Sequence, residues 1–202
     1  YTLDNGLRVI LSEDHSTPIV HLQLVYHVGS KNERPGRTGF AHLFEHMMFK
    51  GSQNVRSDSH LSLISRVGGD GNGFTTEDTT TFLETVPAQY LPLALWLEAD
   101  RMATLRIDAA TFEAERQVVK EERRYRYEDT PFGLLNEIMY DQAYSVHPYK
   151  HSAIGSMEDL EAASVEDVQE FYDTYYVPEN ATLVLVGDFE STRALALVKQ
   201  YF

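Results

Sequence analysis

Alternating and continuous apolar runs along the chain predict four β-strands. Residues 7–11 and 19–28 form the first two, and the second alternates apolar and polar side chains over most of its length. Residues 74–86 are rich in Thr, Phe and Val and end at Pro87, so they predict one strand. Residues 181–186 are almost wholly apolar and predict the fourth strand.

Apolar positions at helical spacing predict seven helices between and after these strands. They lie over residues 39–50, 57–67, 90–104 and 108–127, from residue 131, from residue 164 to Pro178, and over residues 191–202. Ser57 and Asp108 are the expected N-caps of two of them, and Ser164 with Asp167 resembles a capping box. Strands and helices do not alternate strictly, which predicts an α+β fold with helices layered on one sheet.

Length and composition place the chain among globular proteins. With 202 residues, 43% hydrophobic and 24% charged, it fits one large domain or two very small ones. No apolar stretch is long enough for a transmembrane helix. The chain has no cysteine, so a transition metal would be held by His and carboxylate side chains.

The charge balance narrows the classes of partner. Seventeen basic and 31 acidic residues give a net charge of −14, which argues against nucleic-acid binding and against docking to anionic membranes. Basic peptides and metal ions are compatible ligands. Acidic surface residues that serve only solubility are the alternative interpretation.

The helix predicted over residues 39–50 carries the pattern His-x-x-Glu-His. His42 and His46 are one turn apart, about 40° from each other around the helix, and Glu45 lies about 60° to the other side of His42. Two imidazoles so spaced can chelate Zn²⁺, and an adjacent carboxylate can take a proton from water, as in inverzincins. The alternative is a chance pattern. The helix is largely apolar, however, so burying these polar side chains would cost free energy unless they had a partner.

A third ligand must come from elsewhere in the chain. Glu115 and Glu122, seven residues apart on the helix that begins at Asp108, share nearly the same face. The alternative is a solvated ion-pair face, since acids and bases alternate along this helix. Periodicity alone does not choose between these interpretations.

The other polar features are weaker. The glycine-rich residues 68–73 lack the Lys-Ser/Thr of a phosphate loop and the acid spacing of a calcium loop, so a tight entry into a strand is expected. His60 and His147 have no ligand partner at helical spacing, and both are interpreted as ordinary side chains.

Motifs over essentially the whole chain resemble those of the pitrilysin/insulinase zinc metallopeptidases, the family that includes mitochondrial processing peptidase. These are residues 26–30, 39–52, 68–69, 78–80, 98–102, 115–122, 147–149 and 178–181, in the family's order. The resemblance implies a mixed, mostly antiparallel sheet with helices on one face, and it covers residues 1–202 as one catalytic, zinc-binding domain.

The resemblance also implies roles for individual residues. His42, His46 and Glu122 would bind one Zn²⁺, because the 75 residues between His46 and Glu122 match the spacing of the family's third ligand. Glu45 would act as general base, and Glu115 would orient a zinc-bound His.

The implied function is a zinc-dependent endopeptidase that hydrolyses extended or unfolded peptides. Such peptides would add to a sheet edge at Asn72, Gly73 and Phe74, although Gly73 stands where the family has Ala. A homologous second half without the metal site is expected beyond residue 202, in a homodimer or heterodimer that encloses the active site. A non-catalytic, zinc-containing assembly subunit is the alternative. An extracytoplasmic bacterial location is preferred among the family's several compartments.

Overall fold

A computed structural model of the protein describes all 202 residues. Its centre is a five-stranded sheet of β1 (Arg8–Glu13), β2 (Ile19–Tyr26), β3 (Asp70–Thr75), β4 (Thr80–Pro87) and β5 (Ala181–Gly187). The spatial order is β1-β5-β2-β4-β3. Only β1 and β5 are parallel, and the other neighbours are antiparallel. The prediction of a mixed, mostly antiparallel sheet is confirmed.

Eight α-helices accompany the sheet: α1 (Phe40–Met47), α2 (His60–Arg66), α3 (Leu91–Thr104), α4 (Ala109–Arg123), α5 (Leu135–Ala143), α6 (Met157–Ala162), α7 (Val165–Tyr175) and α8 (Ser191–Tyr201). Residues 124–128 prolong α4 as a π-helical turn. Alternate residues of β2 and β5 are fully buried, whereas those between them are half-buried or exposed. The helices therefore cover one face of the sheet, as the sequence predicts. None of them is both long and apolar enough to cross a bilayer.

Two predicted helix caps are present and one is not. The Asp108 carboxylate accepts hydrogen bonds from the backbone N–H groups of Ala110 and Thr111 at the start of α4. Ser164 and Asp167 form the expected reciprocal capping box of α7, at 3.2 and 3.1 Å. Ser57 is not a cap, because α2 begins only at His60 and its N-cap position, Ser59, makes no side-chain bond to the helix.

The single strand predicted over residues 74–86 is wrong. The chain turns at residues 76–79, where Thr76 N–H bonds to Thr79 O at 2.8 Å, and β3 and β4 form an antiparallel hairpin. The Thr76 hydroxyl accepts from the N–H groups of Asp78 and Thr79, so side-chain bonding makes the turn. No Gly or Pro marks it in the sequence. The glycine-rich run lies largely within β3, which is an edge strand.

The helix predicted to begin at Pro131 begins instead at Leu135. Phe132 adopts φ 62°, a left-handed conformation that the first turn of a helix excludes. Apolar side chains in and just before this helix are solvent-exposed; they are Phe132, Leu135, Ile138 and Met139. Helix α6 was not predicted, because six residues are too few to show a clear helical period.

Candidate metal centre

Helix α1 presents its polar residues to two different neighbours. It is short and apolar, and most of its side chains are buried in the core. His42 and His46 face α4, where they approach Glu115 and Glu122. Glu45 faces β3, where it meets Thr75. One helix thus supplies polar groups to a cleft between α4 and the edge of the sheet.

The structure brings together His42, His46 and Glu122. The Nε2 atoms of the two histidines lie 3.7 and 3.2 Å from Oε2 of Glu122, and the ring centroids are 4.8 Å apart. One ligand atom from each residue lies within 4.8 Å of the other two. Glu121, the neighbour of Glu122, is instead exposed and paired with Arg124 at 2.9 Å.

The electrostatics of this cluster fit a bound cation. Burial, with repulsion from His46, lowers the pKa of His42, so its imidazole is neutral and has a lone pair to donate. Burial also acts to lower the pKa of His46, but Glu115 and Glu122 outweigh it and raise the value to about 9. Two imidazoles, each of which binds a metal in its neutral form, and one carboxylate are a donor set typical of catalytic zinc. The residues present therefore fit that ion.

Each acid of α4 that faces α1 divides its two oxygens between a histidine and a cation. Oε2 of Glu115 lies 3.6 Å from Nδ1 of His46, and its Oε1 lies 3.1 Å from Nζ of Lys50. Oε1 of Glu122 lies 3.0 Å from Nη1 of Arg126. Lys50 and Arg126 therefore hold these carboxylates in orientation, a function that no sequence motif marks for either residue. Outer partners of this kind fix the geometry of ligands.

Glu45 lies largely buried at the floor of the same cleft. Burial raises the pKa of its carboxyl group, and a hydrogen bond of 2.6 Å from the Thr75 hydroxyl to Oε2 acts in the opposite direction. A carboxylate with a raised pKa is a better proton acceptor near neutral pH than an exposed one. It has no cationic side chain as a direct partner, which leaves its second oxygen available.

The residues predicted to meet a peptide lie on β3, whose outer edge has no partner strand. Asn72 and Phe74 are exposed at this edge of the sheet, and Asn72 Oδ1 accepts from Gly73 N–H at 2.9 Å. Gly73 faces α1, where a Cβ would lie 3.2 Å from Glu45 Cγ and from Phe49. A side chain at position 73 would therefore crowd Glu45.

These elements enclose an open cleft of about 1090 Å³. Its walls come from α1, α4 with its π-helical turn, α2 and β3. Apolar side chains at the rim, Leu61, Phe74, Val118 and Tyr125, are at least one-third exposed. The candidate ligands and Glu45 lie in this cleft, so a substrate could reach them directly.

A second group of potential ligands lies in the core, and its structure indicates a different role. His60, Glu84 and Glu98 also have ligand atoms within 4.8 Å of one another, and all three are buried. Arg101 pairs with Glu98, with Nε 2.9 Å from Oε2, and its guanidinium stacks on Phe82 at 4.1 Å. A guanidinium thus already supplies the positive charge, and His60 is a structural side chain, as interpreted from sequence.

Comparisons with known proteins show that the chain is similar to zinc proteases. Residues 8–156 match the family model described as Insulinase (Peptidase family M16), and residues 162–202 match that of the Peptidase M16 inactive domain. The zinc protease PqqE of Helicobacter pylori is 36% identical over all 202 residues, which cover 46% of its own length. The chain therefore spans about half the length of this relative.

Solved structures show the same fold. A protease from Helicobacter pylori superposes with a TM-score of 0.97 at 35% identity, covering all of this chain and 49% of that one. The first half of the periplasmic protease PqqL from Escherichia coli gives 0.89 at 27% identity, covering all of this chain and 44% of that one. The segment that matches the second family model supplies β5 to the sheet beside β2. On the extent of the first match, the chain belongs to the insulinase family, peptidase family M16.

Proposed function

We propose that the chain is the zinc-binding catalytic part of an endopeptidase that hydrolyses extended or unfolded peptides. The observation that carries the proposal is the convergence of His42, His46 and Glu122 within 4.8 Å, beside the buried carboxylate of Glu45. The zinc proteases among its relatives support the same chemistry.

His42, His46 and Glu122 would hold the zinc ion, one per domain. When bound, zinc acts as a Lewis acid that makes water a stronger nucleophile and polarises a carbonyl group. Glu45 accepts a proton from the attacking water at its free carboxylate oxygen and returns it to the leaving amine. Thr75 holds the other oxygen and fixes the direction of the carboxylate. Glu115 and Lys50 fix the ring of His46.

The edge of β3 suits a substrate in extended conformation. A peptide lying along this edge bonds to the unpaired backbone groups of residues 70–75, next to the cleft. Asn72, Gly73 and Phe74 are the residues proposed to meet it. Recognition through backbone groups favours unfolded chains, since a folded protein has few free strands to offer.

A second, homologous half would complete the enclosure around this open cleft. The zinc protease PqqE is about twice as long as the chain, and the chain covers only 44% of the solved first half of PqqL. We propose that this half follows residue 202 or belongs to a partner subunit, in a homodimer or heterodimer. A peptide would then be held between β3 and the opposing half.

A non-catalytic zinc subunit is the second candidate. A structural zinc site has no use for a buried carboxylate beside its ligands, and burying such a group costs free energy. Glu45 is such a group, and its second oxygen has no partner within the protein. A buried carboxylate with a free oxygen serves a purpose in proton transfer, so it favours the catalytic function over the structural one.

The pair Glu45→Gln and His42→Ala tests the proposal. Glu45→Gln should keep its zinc, measured by elemental analysis after purification without chelator, and lose hydrolysis of an unfolded peptide. His42→Ala should lose both. Full hydrolysis by Glu45→Gln would overturn the assignment of the base. Zinc bound by the unaltered protein without any peptide turnover would favour the non-catalytic subunit.

A further inference from the structure

Glu33 lies in the segment between β2 and α1, and its side chain reaches the start of the helix that carries the candidate ligands. Oε1 accepts a hydrogen bond from the N–H of Ala41 at 2.8 Å, and Oε2 accepts one from the N–H of Gly39 at 2.9 Å. The side chain is completely shielded from solvent. Its contacts outside α1 include Nδ1 of His151, 3.7 Å away.

A remote carboxylate is needed here because the usual kind of cap cannot fit. The N-cap position of α1 is Gly39, at φ 90°, and it has no side chain to accept the first N–H groups of the helix. A Cβ at Gly39 would lie 2.6 Å from the carbonyl oxygen of Ile154, closer than any real contact. Ser, Thr, Asp and Asn are thereby excluded from the position where they normally cap a helix.

The first turn of α1 matters because it contains His42. A helix of eight residues has only about two turns, and the N–H groups of its first turn have no partner within the helix. Without a cap the first turn frays, and His42 Nε2 would lose its fixed distance from Glu122. His46 lies one turn later, beyond the first intrahelical hydrogen bond, which Leu43 N–H donates to Gly39 O.

We propose that Glu33 is a positioning residue for the metal centre: by capping α1 from outside the helix, it fixes His42 in the geometry that binds zinc. The inference rests on the proposed zinc site, and Glu33 itself touches neither ligand nor substrate. Its effect reaches the site through the backbone of residues 39–42. Removal of the cap therefore weakens zinc binding through His42 while leaving the ligands themselves unchanged.

Glu33→Gln is the sharpest variant. The amide keeps the size of the side chain but offers one acceptor oxygen, so its NH₂ group opposes one of the two backbone N–H donors. Burial raises the pKa of Glu33 to about 8, against the backbone hydrogen bonds that lower it. Measurements above that pH compare the ionised carboxylate with the neutral amide. Glu33→Ala removes both acceptors and serves as the second variant.

Asp159→Asn is the matched control. Asp159 accepts from the N–H and the hydroxyl of Thr38, one residue before Gly39, and is a near neighbour of Glu33. It makes no hydrogen bond to α1. A general loosening of this loop would affect both variants, whereas loss of the helix cap affects only Glu33.

Two readouts test the proposal. In the zinc-free protein, Glu33→Gln should speed amide hydrogen exchange in the first turn of α1 and leave α4 unchanged. In competition with a chromophoric chelator, it should weaken zinc binding about tenfold, while Asp159→Asn stays within about twofold. Glu33→Ala should show the same two effects more strongly. The exchange readout uses no metal and no peptide.

A lowered melting temperature of Glu33→Gln with unchanged zinc affinity and unchanged exchange in α1 would overturn the proposal, because it would show a purely general role. Equal losses in Asp159→Asn would overturn it too. Failure of the proposed function is distinguishable: the unaltered protein would then bind zinc without hydrolysing peptides, and both readouts for Glu33 would keep their meaning.

Discussion

The hydroxyl of Thr75 on β3 donates a hydrogen bond of 2.6 Å to Oε2 of Glu45 on α1. It joins the edge strand proposed to receive a peptide to the carboxylate proposed to move the proton. A shift of β3 on peptide binding would therefore change the position of the Glu45 carboxylate. The same bond makes Thr75 the residue through which the pKa of Glu45 can be altered without touching a candidate metal ligand.

Thr75→Val should shift the pH dependence of peptide hydrolysis. The hydroxyl bond stabilises the charged carboxylate and lowers its pKa, so its removal adds to the rise that burial already causes. Because the base must be ionised, the acidic limb of kcat/KM should move upward by about one pH unit. Thr75→Ser keeps a hydroxyl and should restore the original limb. Identical pH profiles for Thr75→Val and the unaltered protein would contradict this prediction.

Gly73→Ala should slow catalysis by displacing Glu45. The new Cβ would lie 3.2 Å from Glu45 Cγ, inside the ordinary contact distance, so the carboxylate must shift by a few tenths of an ångström. We expect kcat to fall by about tenfold, since catalytic groups tolerate little displacement.

Gly71→Ala is the matched control for that change. It places a Cβ on the same strand and face, but 3.2 Å from Leu61 rather than from Glu45. Its kcat should stay within about twofold of the original, because Glu45 is undisturbed. A comparable loss in both variants would assign the effect to β3 as a whole.

Glu122→Gln and Glu121→Gln should separate the proposed ligand from its neighbour. Glu122 lies within 3.7 Å of both histidines, whereas Glu121 is exposed beside Arg124. Zinc binding, measured by chelator competition, should weaken by more than about 100-fold in Glu122→Gln and stay unchanged in Glu121→Gln. The reverse pattern would reject the assignment that rests on the spacing from His46.

Ser164→Ala should lower the free energy of unfolding by about 1 kcal/mol, because it removes one half of the capping box of α7. Thermal unfolding of the zinc-free protein measures this. Ser57→Ala is the comparison, since the Ser57 hydroxyl bonds only to exposed Asp58 and caps no helix. Equal destabilisation by both changes would show that the box contributes nothing specific.

Local features of the fold were predictable because they depend on neighbours in the chain. The 3.6-residue period places His42, Glu45 and His46 on one arc of α1, and the caps at Asp108 and Ser164 follow from their own side chains. The hairpin at residues 76–79 escaped prediction because Thr hydroxyls, rather than Gly or Pro, form its turn. The late start of α5 escaped because nothing in the sequence marks the left-handed conformation of Phe132.

By itself, then, the sequence indicated which helix could offer metal ligands and, through its resemblance to a family, predicted which distant acid would join them. Only the tertiary structure decided that β3 is an edge strand and that Thr75 bonds to Glu45. It also decided that Lys50 and Arg126 pair with the two acids of α4, and that Glu33 caps α1. The physical reason is the range of the contacts. Helical spacing is set by covalent geometry over a few residues, whereas these contacts exist only after the sheet and helices have packed together.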